Sequence, residues 1–263
     1  MKAPVITLLT DFGTRDGYVA AMKGVLAGYA PGVPVADASH EIPPQNIFSA
    51  AWALAVFHRY YPPGTIHVVV VDPGVGTERL PLCVVADGRV YLAPDNGVLS
   101  LALEGAKEVL YRRIREEVHL PGQVSATFHG RDVFAYAAAL LGSGEKTVEE
   151  VSERVEGMVR LSLAEVDTGP AWVQGAIVHV DGFGNMITNI REDHLRELGE
   201  GSWQVEAGRR FRFGAIRRTY GDVAGGELLA LFNSSGYLEL AANGGSAVAM
   251  TRLGLGDLVR VGR

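Results

Sequence analysis

The chain has 263 residues, 48% hydrophobic and 21% charged, with a formal net charge of −6 and a single cysteine. A composition of this kind excludes a disordered chain, and a chain of this length is near the point where one core splits, so two domains are expected. The acidic balance without a Lys/Arg run excludes a duplex nucleic-acid partner, and Cys83, alone in an apolar stretch, excludes an internal disulfide and a cysteine metal cage.

In chain order, Val5 to Leu9 reads as a buried strand. Its apolar run meets Asp11 too soon for a signal segment or membrane span, so a cytoplasmic protein with no membrane partner is expected. Tyr18, Met22, Val25, Leu26 and Tyr29 then fall on one helical face, and Val33 to Ala36 makes a second short strand. Ile47 to Tyr60 reads as a longer helix stopped by Pro62-Pro63-Gly64, and Ile66 to Val71 as a strand covered on both faces. Pro81 to Ala86 and Val90 to Ala93 flank Asp87-Gly88, a hairpin signal that makes the sheet mixed instead of wholly parallel. Helices from Gly97 to about Leu103 and from about Arg131 to Leu141 complete an α/β pattern.

Beyond about Ala164 the texture changes. Val166-Asp167-Thr168-Gly169-Pro170 reads as a linker, followed by short strand-like runs at Gln174 to Val180, Trp203 to Val205, Phe211 to Arg217, Leu228 to Phe232 and Leu258 to Val261. The expected organisation is an α/β domain over residues 1–164 with a mostly parallel mixed sheet, and a small β barrel or sandwich over residues 171–263.

Active groups in open α/β sheets collect at the carboxyl ends of strands. Asp11 and Asp72 both end strands, although each serves equally well as a simple turn or helix cap. Gly74-Val75-Gly76 after Asp72 lacks the third glycine of a dinucleotide fingerprint and the Gly-Lys-Ser/Thr ending of a P-loop, so both are rejected. Arg79 lies close enough for a short loop to return it to the strand end. His129 precedes an apolar-periodic helix, where backbone amides favour anions. The remaining histidines have no zinc-ligand spacing, so no metal site is expected. Asp181-Gly182-Phe183-Gly184-Asn185 and Asn233-Ser234-Ser235-Gly236-Tyr237 are ordinary polar turns by default.

Taken together, Thr10-Asp11-Phe12-Gly13, Asp72-Pro73-Gly74-Val75-Gly76 with Arg79, Ala93-Pro94-Asp95-Asn96-Gly97, Thr127-Phe128-His129-Gly130-Arg131-Asp132 and the two later turns resemble, in that order, the SAM hydroxide adenosyltransferase family. These enzymes, also called SAM hydrolases, are related to the SAM-dependent fluorinase and chlorinase. The resemblance implies an amino-terminal α/β domain, a carboxyl-terminal β-barrel domain, and a homotrimer with active sites between one subunit's first domain and its neighbour's second. It implies S-adenosyl-L-methionine (SAM) as substrate, no cofactor, and displacement of methionine by hydroxide.

By the same resemblance Asp72, Arg79 and His129 form the catalytic set, with Arg79 stabilising developing hydroxide while His129 and Asp72 orient the water and relay its proton. Asp11 would bind the ribose hydroxyls, with Asp16 nearby. Asp181 would meet the methionine ammonium, Ser234 and Ser235 its carboxylate, Asn185 an adenine edge, and Phe183 and Tyr220 the adenine ring. Two readings compete. A SAM halogenase would carry a long insertion after the Asp72 strand and lack the Asp-Arg-His set, and a non-catalytic SAM or adenosine sensor would not need Arg79 and His129 together.

Overall fold

A computed structural model describes residues 4–122, 124–161, 165–196, 199, 201–208 and 210–263. The chain divides into two compact units, Met1–Leu161 and Ser162–Arg263. The end expected for the first domain, residue 164, lies outside the described residues.

The first unit holds strands β1 (Ile6–Thr10), β2 (Val35–Ser39), β3 (Ile66–Val70), β4 (Pro81–Ala86), β5 (Arg89–Pro94), β6 (Val109–Leu110), β7 (Arg112–Ile114) and β8 (Ser152–Arg154). Its helices are α1 (Tyr18–Tyr29), α2 (Ile47–Phe57), α3 (Tyr136–Ser143) and α4 (Val148–Val151). The sheet runs β2-β1-β3-β5-β4-β7-β8, with β6 beside β4. From β2 to β5 the neighbours are parallel, and the β4–β5 hairpin turns the rest antiparallel. This is the mixed, mostly parallel arrangement implied by the Asp87-Gly88 turn, where Asp87 takes a left-handed φ of 45° and Gly88 one of 75°.

Both sheet faces are covered, which explains the β-branched run of β3, broken only by His67. Val68 and Val70 pack with Met22, Leu26 and Phe134 on one side, while Val69 and Val71 pack with Ala50, Leu54 and Leu99 on the other. Two expected helices differ. Residues 97–106 form a succession of turns, such as Ser100 N to Gly97 O at 2.9 Å and Ala106 N to Leu103 O at 3.3 Å, because Gly97 has a φ of 93° that no helix accommodates. The helix expected from Arg131 opens with a π-helical stretch, Gly130–Ala135, before α3.

The second unit contains β9 (Asp167–Gly169), β10 (Trp172–Val180), β11 (Met186–Arg191), β12 (Gln204–Ala207), β13 (Phe211–Arg217), β14 (Leu228–Phe232), β15 (Tyr237–Ala242) and β16 (Leu258–Gly262), with short helices α5 (Glu192–Arg196) and α6 (Ala247–Thr251). Strands β11-β15-β14-β13-β12-β16-β10 pair in sequence, and β10 pairs again with β11, closing a barrel. Closure depends on an irregularity in β10 between Ile177 and His179, which lets one strand serve two neighbours in turn. The interior is filled by Val173, Ile177, Met186, Leu238, Leu240 and Val261. The expected linker at Val166 to Pro170 is part of the fold, since β9 pairs antiparallel with β10. Among the described residues no helix is long and apolar enough to cross a membrane.

Candidate active site

In the first unit, adjacent parallel strands β1 and β3 both run out at the same edge, placing Asp11 and Asp72 beside one opening. The opening is a cavity of about 360 Å³ whose lining includes Asp11, Tyr18, Gln45, Asp72, Phe128 and His129. One wall is aromatic: Phe12, Tyr18 and Phe128 lie 5.3 to 5.9 Å apart by ring centroid in tilted and edge-on pairs. Asp11 is braced by the Gln45 backbone N–H, which donates to its Oδ2 at 2.7 Å.

Asp72 and Arg79 form a largely buried ion pair, their side chains 5% and 9% exposed. Arg79 Nε donates to both carboxylate oxygens at 3.1 and 3.0 Å, and Nη2 donates to Oδ2 at 2.5 Å. The same Nη2 reaches His129 Nδ1 at 2.8 Å. A guanidinium only donates, so Nδ1 accepts and the neutral imidazole carries its proton on Nε2. Burial, followed by the Arg79 charge, holds the His129 pKa below its ordinary 6.5, with Asp72 opposing, so the ring is neutral near pH 7. Arg79 itself is not among the cavity-lining residues. It stands behind Asp72 and His129, with its guanidinium 5.7 Å from the Phe134 ring.

The surrounding loops hold this set in place. Asn96 Nδ2 donates to the Val71 carbonyl at 2.9 Å, which fixes the end of β3 just before Asp72. Asp132, 1% exposed, accepts from Ser125 N at 2.8 Å and pairs with Arg131 at 2.6 Å, closing the loop that carries His129 into its helix. Arg131 also covers the Phe128 ring at 4.9 Å.

In the second unit, a cavity of about 460 Å³ is lined by Phe183, Asn185, Tyr220, Ala242, Gly244 and Gly245. Phe183 is 81% exposed and Tyr220 42% exposed, so two aromatic faces stand open beside a buried amide. Asp181 organises the turn between β10 and β11, its Oδ1 accepting from Phe183 N and Asn185 N at 2.9 Å each and its Oδ2 from Asn185 Nδ2 at 3.0 Å. That leaves the Asn185 carbonyl oxygen as the amide's free acceptor. Gly184, with φ 81°, lets this turn lie on α6, where a Cβ would come within 2.1 Å of Ser246 Oγ.

The structure therefore gathers Asp11, Asp72 and His129 at one cavity with Arg79 behind them, and Phe183, Asn185 and Tyr220 at another. Asp16 is exposed and outside the first cavity. Ser234 and Ser235 sit in the β14–β15 turn outside the second, where Asn233 Oδ1 accepts from Ser235 N at 3.0 Å. Sequence reasoning missed Gln45 and Glu239. Glu239, an acid flanked by Leu238 and Leu240, carried a local signal in the sequence, whereas the left-handed φ of 62° at Gln45 shows only in the fold. Among the described residues no group of three or more His, Cys, Asp or Glu is placed to hold a metal ion.

Comparison with known proteins places these sites in context. Sequence profiles of the SAM hydroxide adenosyltransferase N-terminal and C-terminal domains match residues 6–152 and 175–260. The chain is 44% identical over 253 residues to an (R)-S-adenosyl-L-methionine hydrolase of Thermus thermophilus, covering 92% of this chain and 93% of that one. A fluorinase of Actinopolyspora mzabensis is 26% identical, covering 99% and 97%. The crystal structure of a conserved protein from Thermotoga maritima superposes with a TM-score of 0.89 at 35% identity, covering 98% of this chain and all of that one.

Proposed function

The chain belongs to the SAM hydroxide adenosyltransferase family, and from that premise we propose that it converts S-adenosyl-L-methionine and water to adenosine and L-methionine. The observation that carries the chemistry is the Asp72–Arg79–His129 set at the cavity where two parallel strands end.

The sulfonium is already a good leaving group, so the enzyme's task is to place and activate a water in line with the ribose 5′ carbon. His129 Nε2–H donates to the water oxygen and stabilises negative charge as it develops. The Nδ1 lone pair is occupied by Arg79, so Asp72 is the member of the set with acceptor capacity for the departing proton. Arg79 acts through its neighbours, holding the carboxylate in place and keeping His129 neutral with its proton on Nε2.

The binding roles follow the same reading. Asp11 takes the ribose hydroxyls with lone pairs that Gln45 leaves open, and Asp16 supports it from the exposed side. Phe183 and Tyr220 flank adenine, and the free Asn185 carbonyl accepts from its amino group. Asp181 meets the methionine ammonium, and Ser234 and Ser235 its carboxylate. The working species is a homotrimer in which adjacent subunits complete each site. Light scattering tests that state, and a mixture of Arg79→Ala and Asn185→Ala subunits would regain activity by exchange.

The decisive experiment incubates the protein with SAM in oxygen-18 water. Equimolar adenosine and methionine are expected, with label in the 5′ hydroxyl and no change in adenosine yield under excess fluoride, chloride or bromide. A 5′-halogenated product would assign the chain to halogen transfer, and tight SAM binding without products would make it a sensor.

A further inference from the structure

Glu239 is an acid in an apolar strand. Its neighbours Leu238 and Leu240 fill the barrel interior, so the alternation of β15 turns Glu239 to the outer face, yet it is only 4% exposed. The chain between β13 and β14 covers it, where these strands run parallel and a crossover passes over the outside of β14 and β15. From that crossover Tyr220 OH donates to Glu239 Oε1 at 2.6 Å. Burial raises the Glu239 pKa, whereas the Asn233 side chain, in the β14–β15 turn, also favours the charged carboxylate and lowers it. Asn233 Oδ1 is occupied by Ser235 N at 3.0 Å and Tyr237 N at 3.2 Å, so the amide NH₂ is what it offers the carboxylate.

Both partners of Glu239 are therefore donors. A carboxylate accepts on either oxygen, whereas glutamine would turn an N–H₂ toward one of them. Burying a carboxylate is costly, and the Asp181 charge nearby adds to the cost, so its presence here calls for a compensating role. The two segments it ties together are those that carry Tyr220, on the wall of the second cavity, and Ser234 with Ser235.

We propose that Glu239 is a positioning residue that fixes the Tyr220 ring and the Asn233–Gly236 turn relative to one another, so that the groups for adenine and for the methionine carboxylate are preorganised before substrate arrives. The inference rests on the SAM reading of this site. Preorganisation contributes chiefly to affinity, since the hydroxide-activating groups lie in the other unit.

The test compares wild type with Glu239→Leu, Glu239→Gln and Tyr220→Phe by calorimetry with adenosine and by steady-state turnover of SAM. Losing the carboxylate in Glu239→Leu, and with it the Tyr220 hydrogen bond, is expected to weaken adenosine binding and raise KM for SAM about tenfold, with kcat at saturation falling far less. Glu239→Gln, which keeps one acceptor, recovers part of the loss. Tyr220→Phe weakens adenosine by a smaller factor, and that penalty vanishes in the Glu239→Leu background because the same bond is already gone. Unchanged adenosine affinity in a folded Glu239→Leu protein, or additive penalties in the double variant, would overturn the proposal. If Glu239→Leu does not fold, wild-type adenosine affinity in both Glu239→Gln and Tyr220→Phe overturns it instead. Wild-type protein that neither binds adenosine nor consumes SAM rejects the SAM reading itself.

Discussion

Gly76 passes so close to Ala126 that a Cβ built on it would lie 2.6 Å from the Ala126 carbonyl oxygen, and its φ of 79° is left-handed. The loop that carries Asp72 and Arg79 thereby lies against the segment leading to His129, and only glycine allows that approach without strain. Gly76→Ala is expected to cost about 1–3 kcal/mol in stability and to lower kcat more than SAM affinity, because it displaces the catalytic set. Gly74→Ala is the control, since its Cβ would meet ordinary contacts of 3.4 to 3.8 Å. Thermal melting and steady-state kinetics on both variants check this, and equal tolerance at the two positions would contradict it.

The Arg79–His129 contact predicts a pH profile. Protonating His129 puts a hydrogen on Nδ1 directly against the Arg79 donor, so the active form is the neutral ring. Since burial and Arg79 lower the His129 pKa, kcat should be flat near neutrality and fall only as pH drops below 6.5. Removing either Arg79 or His129 should reduce kcat about a hundredfold or more, and the double variant should lose little beyond the worse single one. A rate that instead rises as pH is lowered would exclude the neutral-ring mechanism.

Asp11 is expected to act on binding alone. Its carboxylate faces the first cavity and is held by the Gln45 amide, with no hydrogen bond to Asp72, Arg79 or His129. Asp11→Ala should weaken adenosine and SAM by the same factor, about tenfold, since the ribose is common to both ligands. Titration calorimetry giving unchanged adenosine affinity would remove Asp11 from the site.

How much of this was legible in the sequence depended on whether the signal was local. The buried strands, the Asp87-Gly88 hairpin and the two acids at strand ends follow from hydrophobic runs and turn chemistry alone. The gathering of Arg79 and His129, far apart in the chain, is tertiary; only the ordered motifs pointed to it. Periodicity misreads Gly97 to about Leu103 as a helix, because apolar Val98, Leu99, Ala102 and Leu103 are buried by successive turns that present the same spacing. The role of Asp167–Gly169 as a strand was hidden because backbone pairing with Trp172 and its neighbours, not side-chain burial, makes it one. Glu239 escaped notice because its partners arrive from two separate loops.

A last prediction concerns acid stability and stands apart from the site. His67, fully buried on β3, has Nδ1 2.8 Å from Thr7 Oγ1, stacks on the Tyr91 ring at 5.1 Å, and leaves Nε2 without a hydrogen-bond partner. His58 lies beside it, with Nδ1 2.9 Å from Tyr91 OH. Burial, with the His58 and Arg89 charges adding, lowers the His67 pKa to about 3, and burial with Arg59 and Arg89 lowers that of His58 to about 4. Both rings are thus neutral in the folded state, while the unfolded chain takes up protons near 6.5. Their contribution is complete above pH 6.5 and is lost as pH falls toward the folded values, at about 1.4 kcal/mol per pH unit for the fully buried His67 and less for the half-buried His58. Carboxylates held below their usual range, Asp37 and Asp132, lose their contribution only near and below pH 4, and Glu239, held above its usual range by burial, gains stability as pH falls, so a decline between pH 6.5 and 4.5 belongs to the histidines. Urea unfolding across that interval should give a falling stability for wild type and a distinctly flatter line for His67→Phe, which keeps an aromatic ring against Tyr91 but cannot be protonated. The same slope in both proteins would place the acid sensitivity elsewhere.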